Sequence, residues 1–373
     1  MEPYVVSFRK YRPNTFESVV GQEHVTQTLK NAILNNQLSQ AYLFTGPRGV
    51  GKTTCARILA KVMNMDNPVE AVNDGSYATV DLDISMNIFE LDAASRNSVE
   101  DIRELIEQVR YVPQSGKKIY IIDEVHMLSN AAFNAFLKTL EEPPPYAIFI
   151  LATTDKHKVL PTILSRCQIF DFKRIQTSDI THHLEWVCTQ EGVKFEKEGL
   201  HIVAQKADGG LRDALSTLDQ LIALTEGNLT YSNVVKSLNL IDHEQFFAAC
   251  DSFLQQDVSA LLNQYDQITA TGFDGAQFIA GLADHFRNLL LSRDAKTVHL
   301  VEGSEALNQR YLEQSKKFNS SYLLSALDQI NRTETTARNV KNQRLHFELC
   351  LMRLAMLPSA QRLSILSEDE KKN

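Results

Sequence analysis

The chain has 373 residues, which is too long for one typical domain core, so two or three domains are expected. Its content of 43% hydrophobic and 23% charged residues excludes a disordered chain, and its net charge of −8 argues against a general polyanion binder. The sequence has no leader pattern, no apolar run near the roughly 20 residues of a membrane span and no CxxC cysteine pair, so we expect a cytoplasmic protein without disulfides or zinc.

The first half of the chain alternates apolar strand patterns with helical patterns, which is typical of an α/β fold whose parallel sheet is covered by helices. The predicted core strands are Ala41–Phe44, Asn87–Leu91, Lys118–Asp123, Ala147–Thr153 and Gln168–Phe172. Helical patterns lie between them at Cys55–Lys61, Val99–Arg110, Ala131–Leu140 and Leu160–Ser165.

After about Thr177 the strand signals disappear, and the remaining patterns are helical. The helices predicted first are Asp179–Gln190, Lys197–Ala207, Leu211–Thr225 and Tyr231–Leu238. Longer helical segments follow from Asp242 to about Pro358, and the charged tail is expected to fray. We therefore predict a nucleotide-binding core at 1–176, a helical domain at 177–240, an all-helical domain at 241–360 and a frayed tail at 361–373.

A glycine-rich turn joins the first predicted strand to the first helical pattern. It consists of Gly46, Pro47, Arg48, Gly49, Val50, Gly51, Lys52, Thr53 and Thr54. A strand, this turn and a helix in that order predict a phosphate-binding loop, whose backbone N–H groups converge on a β-phosphate at the positive end of the helix. Lys52 is expected to reach the β- and γ-phosphates and Thr53 to hold Mg²⁺.

Two carboxylates end the third predicted strand, where an open α/β sheet exposes its chemistry. Asp123 is expected to hold Mg²⁺, directly or through water, and Glu124 to orient and polarise the attacking water. The alternative is that this acidic pair only caps a helix. Thr154, after the fourth strand, is a candidate contact for the γ-phosphate or the water, or else an ordinary strand residue.

Two arginines are candidates for sensing or completing the nucleotide site. Arg166 closes a short helical run and is either a solvated charge or an arginine finger for the γ-phosphate of a neighbouring subunit. Arg212 begins a helix of the second domain and either reaches back to the same phosphate or interacts only with Asp213.

These motifs belong to a longer ordered series: Phe8–Pro13, Val19–Val25, Gly46–Thr54, Leu91–Ser95, Ile122–Leu128, Phe136–Pro144, Leu151–Thr154, Ser165–Cys167 and Leu211–Ala214. With them the chain resembles the gamma/tau subunits of the bacterial replicative clamp loader, which are AAA+ ATPases. The helical remainder agrees with that family in kind and length. The resemblance implies an AAA+ core, a small helical lid and an all-α collar.

The resemblance further implies an ATP-driven ring built from copies of this chain with delta and delta-prime subunits. ATP and Mg²⁺ would let the ring grip and open the sliding clamp (beta), and primer-template DNA would trigger hydrolysis. By position, Thr154 matches the first sensor, Arg166 the finger acting in trans and Arg212 the second sensor.

The resemblance also assigns adenine and DNA contacts. The adenine would be covered by an N-terminal arm with the residues Tyr11, Arg12, Pro13, Val19 and Val20. The alternative is that the arm packs without a ligand role. Arg96 and Lys138 fall where related loaders touch DNA phosphates, although a surface cation is commonly just solvated.

The chain departs from the family pattern in two places. Family members commonly carry four zinc-binding cysteines after the phosphate-loop helix, whereas Met63–Met86 contains none, so we predict no structural zinc. The chain also stops after the collar, without the long extension of the tau form, which indicates a gamma-like product or a shortened chain.

Other functions remain open at this stage. A small subunit of replication factor C shares the Ser-Arg-Cys motif, although Lys138–Pro144 and Asp123–Leu128 favour the bacterial loader. A scaffold subunit that binds ATP without turnover is disfavoured by the intact loop and Glu124. A metabolite kinase is possible from the loop alone, but no acceptor site is visible in the sequence.

Overall fold

The computed structural model describes residues 5–79, 87–113, 116–301 and 305–370. They divide into two compact units between Thr230 and Tyr231, and each unit is described here by itself. Within the described residues, no helix is both long and apolar enough to cross a membrane.

A parallel five-stranded sheet forms the core of the first unit. Its strands are β1 (Ala41–Thr45), β2 (Ile88–Asp92), β3 (Lys118–Asp123), β4 (Ala147–Thr153) and β5 (Gln168–Asp171). The spatial order is β2-β3-β4-β1-β5, with every pair parallel. In the register, Thr45 lies opposite Thr153 and Asp92 lies opposite Asp123. The carboxyl ends of the strands therefore meet at one edge, where α/β sheets carry their ligands.

Helices cover both faces of this sheet. They are α2 (Glu23–Leu34), α3 (Lys52–Met63), α4 (Pro68–Asp74), α5 (Val99–Arg110), α6 (Asn130–Glu141) and α7 (Pro161–Leu164). A short helix before them, α1 (Ser7–Lys10), contacts Asp219 near the end of the unit instead. Side chains of β1 alternate between two cores, since Tyr42 and Phe44 pack with α2 and α3, whereas Leu43 packs with α5 and α6. Because β1 is buried on both faces, it has the continuous apolar sequence of a central parallel strand.

The predicted α/β fold is confirmed, with β3, β4 and α5 at their predicted bounds. Ser98 and Asp101 form a capping box that fixes the first turn of α5. β1 and β5 differ from prediction by one residue at one end, and β2 is shifted by one residue at both ends. The helix α3 is longer than predicted and begins at Lys52.

The insertion without cysteines has structure of its own, which the sequence did not predict. It contains α4 and a 3₁₀ turn over Ser76–Thr79, while residues 80–86 lie outside the described part. Tyr77 is 1% exposed and packs into the core beside α3. Its hydroxyl accepts a hydrogen bond from the Phe16 N–H at 3.1 Å and donates one to Glu17 at 3.3 Å. The insertion is therefore anchored to the N-terminal arm by its own side chain.

The first unit ends in a helical region with a small sheet. It contains α8 (Thr177–Glu191), β6 (Lys194–Phe195), α9 (Lys197–Lys206), α10 (Leu211–Leu224) and β7 (Asn228–Leu229). The expectation that strands stop after Thr177 was wrong, because β6 and β7 pair in parallel. A strand of two residues is too short to show alternation, so no sequence pattern identified it.

The second unit is entirely helical within its described residues. Its helices are α11 (Tyr231–Ser237), α12 (His243–Gln255), α13 (Val258–Ala270), α14 (Gly275–Leu291), α15 (Glu305–Ser315), α16 (Ser320–Ala337) and α17 (Gln343–Glu370). The helical pattern was expected to end near Pro358 and to fray over 361–373, whereas α17 continues to Glu370. The proline removes one backbone donor, and the residues after it favour helix. Residues 371–373 lie outside the described part.

Candidate functional site

The turn after β1 has a backbone that only glycine can follow at its first position. Gly46 has φ 144°, and a Cβ added there would lie 2.3 Å from the carbonyl oxygen of Phe172. Gly49 and Gly51 have φ 76° and 102°, and α3 begins directly after them at Lys52. The loop therefore wraps closely around the start of α3, with the backbone N–H groups of the first helical turn at its centre.

Lys52 is buried inside this loop, with 6% of the residue exposed. Its Nζ donates hydrogen bonds to the carbonyl oxygens of Gly46, at 2.8 Å, and Pro47, at 2.6 Å. Burial lowers the pKa of Lys52, while the nearby carboxylates of Glu124 and Asp123 act in the opposite direction. The ammonium group is thus held beside both carboxylates, at the point where the sequence predicted phosphate contacts.

Thr53 and Asp123 meet across the sheet edge. The Thr53 hydroxyl donates to Oδ2 of Asp123 at 2.6 Å, while Oδ1 accepts the Glu124 N–H at 2.9 Å. A hydroxyl and a carboxylate in contact offer the hard oxygen ligands that Mg²⁺ prefers. This pair therefore fits the predicted metal role.

Glu124 stands at the end of β3 in a left-handed backbone conformation, with φ 49° and ψ 42°. Its Oε2 accepts two hydrogen bonds from Thr154, from the amide at 3.3 Å and from the hydroxyl at 3.0 Å. The predicted base and the predicted first sensor are therefore in direct contact, and Thr154 reaches the site through Glu124.

Most of the residues singled out from the sequence line one pocket. These are Tyr11, Arg12, Pro13, Val19, Val20, Arg48, Gly49, Val50, Gly51, Lys52, Thr53, Thr54, Asp123, Glu124 and Arg212. Gly46 and Pro47 contribute the carbonyl oxygens that bind Lys52. The pocket also has an apolar lining that was not predicted, formed by Phe8, Ile175, Leu211 and Leu215. Apolar residues so far apart in sequence carry no signal that they share a pocket, although Phe8 and Leu211 begin two of the recognised motifs.

The N-terminal arm is fixed to the helices that follow the sheet. The Ser7 N–H donates to Asp219 of α10 at 2.8 Å. Glu191, at the end of α8, accepts from Lys10 at 2.6 Å and from the Tyr11 hydroxyl at 2.5 Å. The Tyr11 ring packs edge-on against Trp186, 5.3 Å between ring centres. These contacts hold the arm along one wall of the pocket.

Two arginines bring positive charge to that wall. Arg212 donates its backbone N–H to the Gly49 carbonyl at 3.3 Å, and its guanidinium lies 5.0 Å from the centre of the Phe8 ring. Burial lowers the pKa of Arg12, and the neighbouring positive charge of Arg57 lowers it further. The start of α10 thus sits directly against the phosphate loop.

The remaining predicted residues lie outside the pocket. Arg166 is exposed, and its guanidinium donates to the Thr162 carbonyl and to the Glu141 carboxylate, each at 2.6 Å. Arg96, in the turn after β2, and Lys138, on α6, are also exposed. Among the residues that the structure describes, the guanidinium contacts of Arg166 are to groups that do not line the pocket, which fits a role toward another molecule.

Comparison with known proteins finds family models along nearly the whole chain. Residues 21–176 match a model described as DNA polymerase III, delta subunit, and 179–227 match the ATPase lid domain of the DNA polymerase III clamp loader subunit. Residues 229–365 match domain III of the DNA polymerase III subunits gamma and tau.

Curated relatives agree with these models. DNA polymerase III subunit tau of Bacillus subtilis is 39% identical over 363 residues, which are 94% of this chain and 63% of that protein. Subunit tau of Escherichia coli is 43% identical over 268 residues, 70% of this chain and 42% of that protein. Subunit gamma of Buchnera aphidicola is 32% identical over 359 residues, 94% of this chain and 96% of that protein. The chain thus spans less than two thirds of either tau relative and nearly all of the gamma relative.

Proposed function

The chain belongs to the gamma/tau family of DNA polymerase III clamp-loader subunits, AAA+ ATPases, and on this premise we propose that it binds and hydrolyses ATP to open and load the sliding clamp onto primer-template DNA. The observation that carries the proposal is the meeting of Lys52, Thr53, Asp123 and Glu124 in one pocket at the carboxyl edge of the sheet. A scaffold subunit that binds ATP without turnover would have no need for Glu124 among these groups.

In the proposed reaction, Lys52 binds β- and γ-phosphate oxygens in place of the two loop carbonyls that it now contacts. Thr53 and Asp123 would hold Mg²⁺, which when bound would neutralise charge on the phosphates. Glu124 orients and polarises the attacking water by accepting its hydrogen bond. Thr154 acts as first sensor through its contacts with Glu124.

The family resemblance extends the proposal to adenine recognition and to nucleotide sensing. Tyr11, Arg12, Pro13, Val19 and Val20 line the same pocket and would cover the adenine. Arg212, which bonds to the loop through its backbone, would report the nucleotide state as second sensor.

Arg166 would complete the site of a neighbouring subunit, because its exposed guanidinium contacts Thr162 and Glu141, which are not among the residues that line its own pocket. The proposed partners are other copies of this chain, delta and delta-prime subunits, the sliding clamp and primer-template DNA in the cytoplasm, with Arg96 and Lys138 toward DNA. The proposed domains remain the core at 1–176, lid at 177–240 and collar at 241–360.

The test compares Lys52→Ala with Glu124→Gln in ATP binding and in hydrolysis, with the chain alone and assembled with candidate delta-type subunits, clamp and primed DNA. We expect Lys52→Ala to lose ATP affinity, because charged hydrogen bonds to phosphate are lost. Glu124→Gln should retain binding and lose turnover. Wild-type turnover in Glu124→Gln would overturn the assignment of the base, and binding without turnover in every assembly would favour a scaffold.

A further inference from the structure

His126 lies behind Glu124 at the end of β3, and neither the sequence motifs nor the proposed function gives it a role. Its side chain is only 10% exposed, and its Nδ1 is 3.4 Å from Oε2 of Glu124 and 3.0 Å from the hydroxyl of Thr153. The ring is thus placed between the candidate base and the end of β4.

The hydrogen bonds of Thr153 determine which ring nitrogen carries the proton. The Thr153 hydroxyl donates its hydrogen to the Asp155 carbonyl at 3.2 Å and accepts the Asp155 N–H at 3.1 Å. It can therefore only accept from His126. A carboxylate at Glu124 also only accepts, so both neighbours require N–H at Nδ1 of His126.

All the donors around Glu124 converge on one carboxylate oxygen. Oε2 faces the amide and hydroxyl of Thr154 and Nδ1 of His126. Within the part of the chain that the structure describes, Oε1 of Glu124 makes no hydrogen bond, so that oxygen is available to accept one from water. Two hydrogen bonds from Thr154, with the polar Nδ1–H of His126 3.4 Å from the same oxygen, restrict the orientation of this carboxylate, which general-base catalysis requires.

We propose that His126 is a positioning residue: its Nδ1–H, hydrogen-bonded to Thr153 and 3.4 Å from Oε2 of Glu124, attracts that oxygen electrostatically so that Oε1 faces the attacking water. This role rests on the proposed function, because it has meaning only if Glu124 acts on water. His126 contacts neither nucleotide nor water in this scheme. It acts through Glu124 and through Thr153, which fixes the ring.

The experiment is a set of substitutions at His126 measured by steady-state ATP hydrolysis of the full chain in the assembled complex, with ATP binding measured in parallel. Asn carries its amide nitrogen near the position of Nδ1, whereas the amide of Gln extends to the position of Nε2. We expect kcat to fall about 10- to 100-fold in His126→Ala and in His126→Gln, with KM for ATP nearly unchanged. His126→Asn should recover most of kcat.

Three controls separate positioning from folding. His157→Ala removes an exposed histidine from the same unit and should leave kcat unchanged. Thermal unfolding of each variant reports whether the unit remains folded. In a Glu124→Ala background, adding His126→Ala should cause no further loss of single-turnover hydrolysis, because the two residues act as one.

The outcomes distinguish this inference from the proposed function. If the wild-type chain hydrolyses no ATP in any assembly, the proposed function fails. If Glu124→Ala hydrolyses ATP at the wild-type rate, the assignment of the base is overturned, and the role of His126 with it, while the ATPase function stands. If Glu124→Ala is inactive while His126→Ala and His126→Gln keep wild-type kcat, only the role of His126 is overturned. Equal loss in His126→Asn and His126→Gln, or an additive loss in the Glu124→Ala background, also overturns it.

Discussion

Arg166 and Glu141 form an ion pair on the surface of the first unit, with Nη2 of the arginine 2.6 Å from Oε1 of the glutamate. Their side chains are 33% and 49% exposed. A pair this exposed contributes at most about 1 kcal/mol to stability, since solvent screens it. Replacing Arg166 therefore tests its function without the risk of unfolding the chain.

We predict that Arg166→Ala leaves ATP binding and thermal unfolding of the chain nearly unchanged but lowers hydrolysis in the assembled ring by on the order of 10³. The reason is that its guanidinium would stabilise charge on the γ-phosphate of a neighbouring subunit. Mixed rings with the substitution placed at one position at a time give the measurement. Loss should occur only where the mutant subunit faces another subunit's ATP.

Arg332→Ala is the matched control, because Arg332 is also exposed and paired with a carboxylate, Asp328, at 2.8 Å. It should hydrolyse ATP at the wild-type rate. If Arg166→Ala reduces hydrolysis equally wherever it is placed in the ring, a role in trans is excluded.

Gly46→Ala is predicted to destabilise the first unit by more than about 3 kcal/mol, because a strained φ alone costs about 1–3 kcal/mol and the new Cβ meets a backbone oxygen as well. ATP binding should be lost with it. Gly227→Ala separates the two effects, since its φ is 78° but nothing lies within 4 Å of the added Cβ. Gly227→Ala should lower the free energy of unfolding by only about 1–2 kcal/mol. Equal shifts of the unfolding midpoint would show that the clash with Phe172 has no effect.

The stability of the second unit should fall in acid because of His285. Burial lowers the pKa of His285 to about 4 from an ordinary 6.5, and Nε2 is paired with Gln314 at 2.9 Å. Between these two pH values the imidazole binds a proton in the unfolded chain but not in the folded one. The contribution of His285 to the free energy of unfolding is therefore fully present above pH 6.5 and is lost as the pH falls toward 4. The slope is at most about 1.4 kcal/mol per pH unit.

His285→Gln, which has no titrating group, should remove this part of the pH dependence of urea unfolding between pH 7.5 and 5. His299→Gln, at an exposed position, should leave the wild-type slope. Identical slopes for wild type and His285→Gln would contradict the assignment.

Tyr77 is predicted to anchor the insertion without a metal. Tyr77→Phe leaves the Phe16 N–H without its acceptor and should cost about 1–3 kcal/mol. Tyr77→Ala also opens a cavity and should cost about 3–5 kcal/mol. Tyr111, which is 71% exposed, gives the control Tyr111→Ala, expected within about 0.5 kcal/mol of wild type. A Tyr77→Ala variant as stable as this control would show that the insertion is not anchored there.

The sheet could be predicted from sequence because its strands combine two strong signals. In β3 and β4, apolar runs of strand length are bounded by charged or turn residues, and both strands were predicted with their ends. In contrast, β6 and β7 depend on pairing between distant dipeptides, which local periodicity does not contain. The helix α4 was missed because its few residues show no apolar period.

The sequence predicted which residues form the candidate site better than it predicted their side-chain contacts. Lys52 and Thr53 occupy fixed places in the loop after β1, and Asp123 ends β3. Because the carboxyl ends of parallel strands lie at one edge of the sheet, the contact between Thr53 and Asp123 could be predicted. That Tyr11 contacts Glu191 depends on tertiary folding, since the two residues are far apart in sequence. His126 and Glu124 are close in sequence, but residue spacing alone does not predict their contact. The orientation of the His126 ring depends on Thr153 of β4, which only the folded sheet brings near it.

The hydrogen bond from the Arg212 N–H to the Gly49 carbonyl makes the position of α10 and the shape of the phosphate loop thermodynamically linked. A ligand or substitution that shifts the position of α10 must shift the conformation of the phosphate loop by the same coupling free energy, and the reverse also holds. Because this hydrogen bond joins main-chain atoms, substitution of either side chain by alanine leaves it in place. Removing it requires the loss of the N–H at position 212, by proline or by a backbone ester. Part of the communication between nucleotide and lid would then be invisible to side-chain mutagenesis.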